Sequence, residues 1–240
     1  MSDGSVRLCV VFEGSPPKVG LKHVELVQFS HPGHDLFSRK FGRLQEPRGL
    51  RIEFVSPTQL NIAPDFRFDA FRFSFKIFSI LQAIELFRPD SHYAWLDADV
   101  RCLRPLSSKG LVEFFPADDE VMSYLGRLKF PLTGAYSECG FLGFNARCSR
   151  VSAFLSRMAD VYVSGEIFSH REWHDSWIWD QVRLEFERNG DKFKNISGIA
   201  ENTHHPFINS RLGEFFDHLK GPKRKVAGRS MDTDYVLRKR

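Results

Sequence analysis

A chain of 240 residues, 42% hydrophobic and 27% charged, has the length and apolar content to bury a full core, which argues against wholesale disorder. No run approaches the roughly 18 apolar residues of a membrane span, and the start, Met1 to Val6, lacks the basic-then-apolar order of a secretory leader. The net charge of +4 is uneven: Leu219 to Arg240 holds eight basic residues against Asp232 and Asp234, a local +6 that leaves the rest of the chain at −2. Such an end reads as a solubilising tail, a phosphate clamp or a nucleic-acid contact. The cysteines Cys9, Cys102, Cys139 and Cys148 show no C-x-x-C spacing, which argues against a zinc knuckle or redox pair and fits reduced thiols in a cytoplasmic protein.

The elements alternate in the α/β manner. Arg7 to Phe12 predicts a strand closed by the break at Gly14 to Pro17, and Leu50 to Val55 a second, ended by Ser56-Pro57. Asp69 is placed to cap a helix running to about Phe87, where Pro89 stops it. That helix is apolar almost all round, so it is expected to be buried. Arg72 and Lys76, four apart, share one of its stripes and need an anion, either a carboxylate or a bound phosphate. Strands are expected over 91–96, 121–125 and 141–144, with helices over 149–162 and about 176–188. There is no internal repeat or long linker, so one domain is expected. The 24 Phe residues predict an aromatic core.

The apolar run Tyr93 to Leu96 ends in Asp97-Ala98-Asp99. In an extended segment, side chains two apart point the same way, so the two carboxylates crowd together unless a hard divalent cation lies between them. A solvated acidic turn is the alternative reading. Further along, Glu138 to Asn145 is a Gly-punctuated strand that permits close backbone approach at Gly140. Trp173, Trp177 and Trp179 stand beside Asp175, Asp180 and Gln181 at the start of a helix; core packing accounts for two of these indoles, and an exposed one there would stack on a base or sugar. His218, followed by Gly221-Pro222 and the cations Lys223, Arg224 and Lys225, is either an ordinary surface histidine or a neutral metal ligand.

Taken together, these segments resemble GT-A fold glycosyltransferases, especially family 8 enzymes related to glycogenin and bacterial galactosyltransferases. Tyr93 to Leu106 looks like the D-x-D segment of that family. Cys139-Gly140 to Asn145 is similar to its small-Gly-apolar-Asn strand, Asp180-Gln181 to its D-Q pair, and His218-x-x-Gly221-Pro222-x-Arg224 to its H-x-x-G-x-x-K signature with Arg last. The resemblance implies a single Rossmann-like domain over 1–225, with a central mostly parallel sheet, and a basic tail over 226–240. It implies a nucleotide-sugar donor, usually a UDP-sugar, held through Mn²⁺ or Mg²⁺ by Asp97, Asp99 and His218. The same resemblance puts the diphosphate near Gly140, Gly221, Lys223 and Arg224, with Arg72 and Lys76 on the helix side. Retention of configuration is implied too, with Asp180 or Gln181 beneath the sugar. An inverting enzyme would instead use Asp175 or Glu138 as general base.

The acceptor is not set by these motifs. The basic end and the indoles make DNA bearing a 5-hydroxymethylated base an expected acceptor, as for an enzyme working in a bacterial or phage-infected cytoplasm; a glycan is the other. The rival reading is a non-catalytic nucleic-acid-binding protein that works through its basic end.

Overall fold

The computed structural model describes residues 8–16, 24–44, 49–56, 59–88, 91–128 and 136–236. Expectations that fall on Met1 to Arg7, Pro17, Pro57, Pro89, Arg238, Lys239 and Arg240 lie outside them. In chain order the elements are β1 (Leu8–Phe12), β2 (Val24–Gln28), α1 (Pro32–Phe41), β3 (Leu50–Ser56), β4 (Gln59–Pro64), α2 (Ala70–Phe87), β5 (His92–Leu96), β6 (Val100–Cys102) and α3 (Ser108–Val112). Then come β7 (Glu120–Leu125), β8 (Glu138–Asn145), α4 (Arg150–Ser164), α5 (Asp175–Arg188), β9 (Lys192–Asn195), α6 (Pro206–Asn209), β10 (Phe216–His218) and α7 (Pro222–Ala227). The chain divides into two compact units, residues 1–88 with 153–182 and residues 89–152 with 183–240. Among the described residues, no helix is long and apolar enough to cross a membrane.

In the first unit, β1 pairs parallel with β2, and β3 antiparallel with β4. Helix α1 begins where His31 Nδ1 accepts from Gly33 N (3.0 Å) and Pro32 supplies a preset φ at the first position; Arg39 and Lys40 sit in its last turn, where cations are favoured. Helix α2 starts as expected: Asp69 Oδ1 accepts from Arg72 N at 3.1 Å. It ends at Arg88, whose φ of 43° is left-handed, a conformation that stops the helix. The core is aromatic, as the Phe content predicts. The Phe37 ring lies 4.7 Å from Phe71 and 5.6 Å from Tyr162, and Phe78 meets Tyr162 at 6.1 Å. Gln82 fastens α2 to the end of β2, accepting from Ser30 N (3.0 Å) and donating to Gln28 O (2.8 Å).

The second unit is built on a four-stranded sheet in the order β5-β8-β7-β9. The family resemblance implies a mostly parallel sheet; in this one, β8 pairs antiparallel with both β5 and β7, and only β7 with β9 is parallel. The physical reason is that an unbroken apolar run encodes burial on both faces, which suits a central strand of either kind, and carries no direction. All eight residues of β8 are buried. A separate two-stranded ladder joins β6 to β10, with Val100 opposite His218. Beneath the sheet lies a cluster of Phe114, Leu125, Phe141, Phe207, Ile208 and Leu212. Residues 226–236 remain in this unit, tied down by Asp234, whose carboxylate takes Arg224 and whose carbonyl accepts from Asn209 Nδ2 at 2.8 Å.

Candidate metal centre

The β6–β10 ladder is what makes a site. β5 delivers the chain to the turn Asp97-Ala98-Asp99, closed by a bond from Val100 N to Asp97 O (2.9 Å), and β6 follows directly. Because His218 ends β10 opposite Val100, its ring arrives beside that turn; Leu219 N continues the contact by donating to Asp99 O at 3.0 Å. His218 Nε2 then lies 3.2 Å from Asp99 Oδ1 and 3.7 Å from Asp97 Oδ2. One atom from each of the three residues falls within 4.8 Å of the others. The Trp95 indole N–H fixes the Asp97 carboxylate at 2.7 Å. Two carboxylate oxygens, partly open to solvent, and a buried imidazole nitrogen form a donor set suited to Mn²⁺ and acceptable to Mg²⁺, so the residues present fit such an ion.

Lysine 225, on α7, reaches Asp99 Oδ2 at 2.9 Å. Burial raises the Asp99 pKa, yet hydrogen bonds from His218 and Lys225 outweigh it and hold the carboxyl well below its usual range. For His218, burial acts against the charged ring, but the bonds to Asp99 and Glu138 prevail and push its pKa up to about 9. A raised histidine pKa stabilises the fold fully below its unfolded value near 6.5, and that contribution is lost as pH rises through about 9. The metal-free protein is therefore expected to lose thermal stability across that window. A metal ligand must have a bare nitrogen, so cation binding releases the His218 proton, and Mn²⁺ affinity is expected to climb about tenfold per pH unit over the same window. Mn²⁺ titrations followed by electron paramagnetic resonance at several pH values check this; a flat profile would show that His218 does not ligate.

Beside this cluster, a cavity of about 420 Å³ is lined by His204, His205, Lys220, Gly221, Arg224 and Asp234, among others. Gly221 opens α7 at φ 84°, where a side chain would be strained, so the glycine of the His-x-x-Gly element is required by backbone geometry. Of the neighbouring cations, Arg224 is committed to Asp234 and to Lys220 O, Lys225 to Asp99, and Lys223 is exposed. Gly140 also has a spatial reason. A Cβ there would come within 2.6 Å of the His218 ring, so the bare backbone is what lets the imidazole lie flat against β8.

The remaining expected site residues belong to the first unit. Lys76 is buried, and its Nζ lies 2.5 Å from Asp175 Oδ2, so the anion it needs is a carboxylate of the chain itself. Asp175 is fully enclosed; burial raises its pKa, and Lys76 more than offsets this and lowers it. His174 joins the group through Glu172 Oε2 at 2.9 Å. Arg72, one turn earlier on α2, is exposed and lies over the Phe73 ring. Asp180 is buried and Gln181 half-buried in α5. Two of the indoles are core, as expected, since Trp177 and Trp179 are buried; the expected exposed one is corrected, because half-buried Trp173 packs edge-on against Phe68 and Phe168 while donating to His170 O. In the second unit, Glu138 is 2% exposed and held by two histidines, which removes it as a general base facing an acceptor.

Sequence reasoning missed the support around the site. Trp95, Glu138 and His205 hold the ligands in place; the one signal available for Glu138 was an acid opening a strand otherwise read as wholly buried. No protein-family model matches this chain, and a search of curated proteins finds no match.

Proposed function

We propose that this chain is a metal-dependent glycosyltransferase that moves a sugar from a nucleotide sugar, a UDP-sugar, to an acceptor hydroxyl with retention of configuration. The observation that carries the reading is the convergence of Asp97, Asp99 and His218, from segments nearly half the chain apart, into one donor set. In this reading a single GT-A domain binds the donor at the second unit's cluster. The leaving group is a nucleoside diphosphate, and a bound Mn²⁺ or Mg²⁺ supplies the Lewis acidity that neutralises its developing charge. The chain's own residues hold and screen: Trp95 orients Asp97, Lys225 balances Asp99, and Lys220, with Arg224 anchored by Asp234, gives the adjoining cavity a positive wall suited to phosphate oxygens.

The DNA acceptor loses one of its two supports with the burial of Trp177 and Trp179, and the basic end is partly compensated by Arg224–Asp234 and Lys225–Asp99. The same pairings reduce the positive charge open to the rival reading, a non-catalytic nucleic-acid-binding protein. Hydroxymethylated DNA therefore enters the test as one acceptor beside glycans.

UDP with Mn²⁺ is expected to stabilise the protein more than either alone. At a hundred times the Kd, binding adds about 2.7 kcal/mol, a rise in Tm on the order of 5–10 °C for a chain of this size. Labelled UDP-sugars offered with each acceptor then report turnover. No pair-specific shift, together with no transfer above a heat-killed control, would sink the reading.

A further inference from the structure

We propose that Glu138 is a positioning residue for the metal centre, holding His218 in the tautomer that turns a bare Nε2 toward Asp97 and Asp99. The inference rests on the sugar-transfer reading's metal site. A neutral imidazole carries one proton on two nitrogens, so the partner of one nitrogen decides what the other can do. Here Nδ1 lies 2.8 Å from Glu138 Oε1, an acceptor, which keeps a proton on Nδ1 and leaves Nε2, the nitrogen facing the acid pair at 3.2 and 3.7 Å, as the one an ion would meet. Metal-bound histidines commonly donate their second N–H to a carboxylate in this way.

Glu138 is itself built in. It is 2% exposed, near the middle of the second unit, where a lone carboxylate would not persist. His205 Nδ1 lies 3.1 Å from the same Oε1, and Arg127, which donates to the carbonyls of Thr203 and His204, stands 3.8 Å from Oε2. His205 Nε2 lies 3.2 Å from the carbonyl of His218, so the same ring that stands beside the carboxylate meets the main chain of the proposed ligand. The ring is further confined between the bare backbone of Gly140 and the ring of Phe207, whose centroid is 5.1 Å away. Packing thus sets the plane of the imidazole, and Glu138 sets its proton.

The test measures Mn²⁺ binding directly, by the loss of the free-ion paramagnetic resonance signal, on the full chain. Glu138→Gln is expected to weaken Mn²⁺ about 10- to 100-fold. In a His218→Ala background, the same substitution is expected to change affinity less than about twofold, because the effect passes through the ring. A merely structural role would weaken both backgrounds alike and overturns the proposal, as does a Glu138→Gln protein that binds like the parent. Should Glu138→Gln fail to fold, nitrogen-15 long-range correlation spectra of the parent protein in saturating MgCl₂ decide: His218 protonated on Nδ1 alone supports the proposal, and a ring that keeps a proton on Nε2 overturns it. A parent protein that binds no Mn²⁺ at all rejects the metal-dependent reading first, an outcome distinct from a parent that binds while Glu138 proves neutral.

Discussion

Asp99→Ala is expected to remove Mn²⁺ binding and to cut sugar transfer on the order of a thousand-fold, since charge stabilisation by a metal is worth several kcal/mol and each 1.36 kcal/mol is a factor of ten. Asp99 carries the site because one oxygen faces His218 Nε2 and the other meets Lys225, so it joins the imidazole to the only cation that α7 brings onto the acid pair among the described contacts. The fold is expected to survive. Lys225 is half exposed and returns to water, and exposed ion pairs contribute only about 0–1 kcal/mol. Asp99→Asn, which keeps the shape and loses the charge, is expected to fail to the same degree in transfer while matching the parent in circular dichroism. Turnover within tenfold of the parent for both variants would show that the acids do not hold a catalytic ion.

Lys76→Met is expected to lower stability by about 3–5 kcal/mol, the usual penalty for stranding one member of a buried ion pair. The stranded charge would be Asp175, 6% exposed, with Glu172 nearby through His174. The double variant Lys76→Met with Asp175→Leu is expected to recover most of the loss, because an apolar pair of similar volume replaces a charge pair at little net cost. Thermal unfolding of the three proteins measures this. The comparison bears on function as well. If Lys76→Met leaves stability untouched but abolishes donor binding, Lys76 is a ligand-binding cation and the pairing with Asp175 is incidental.

The sequence made some features plain for physical reasons. Helix α2 could be bounded because Asp69 is a capping residue ahead of a long apolar stretch and the residue before a proline leaves the helix. Strands β5, β7 and β8 could be seen because their apolar runs are long enough to stand out. The three-residue strands β6 and β10 show no such pattern, since a ladder this short is specified by its partner and not by its own periodicity. Yet they carry the site. The candidate ligands stood out because an acid pair after a core strand and a His-x-x-Gly turn are unusual spacings, and the structure brings them together. Glu138 was not legible as a support: nothing in linear order connects it to His218, which lies 80 positions away. An exposed indole was expected for a related reason, because polar neighbours such as Asp175 and Asp180 suggest a solvated helix start when they are in fact buried.

The antiparallel ladder between β6 and β10 also sets an order of events in biosynthesis. A polypeptide emerging from the ribosome presents the acid turn first, and the histidine that pairs across from it follows only about 120 residues later. Pairing of such remote segments is slow, because the intervening chain must already be organised before the contact is rewarded. Until then the nascent protein carries the acid pair without its imidazole partner, so closure of the cluster reports that the second unit has come together.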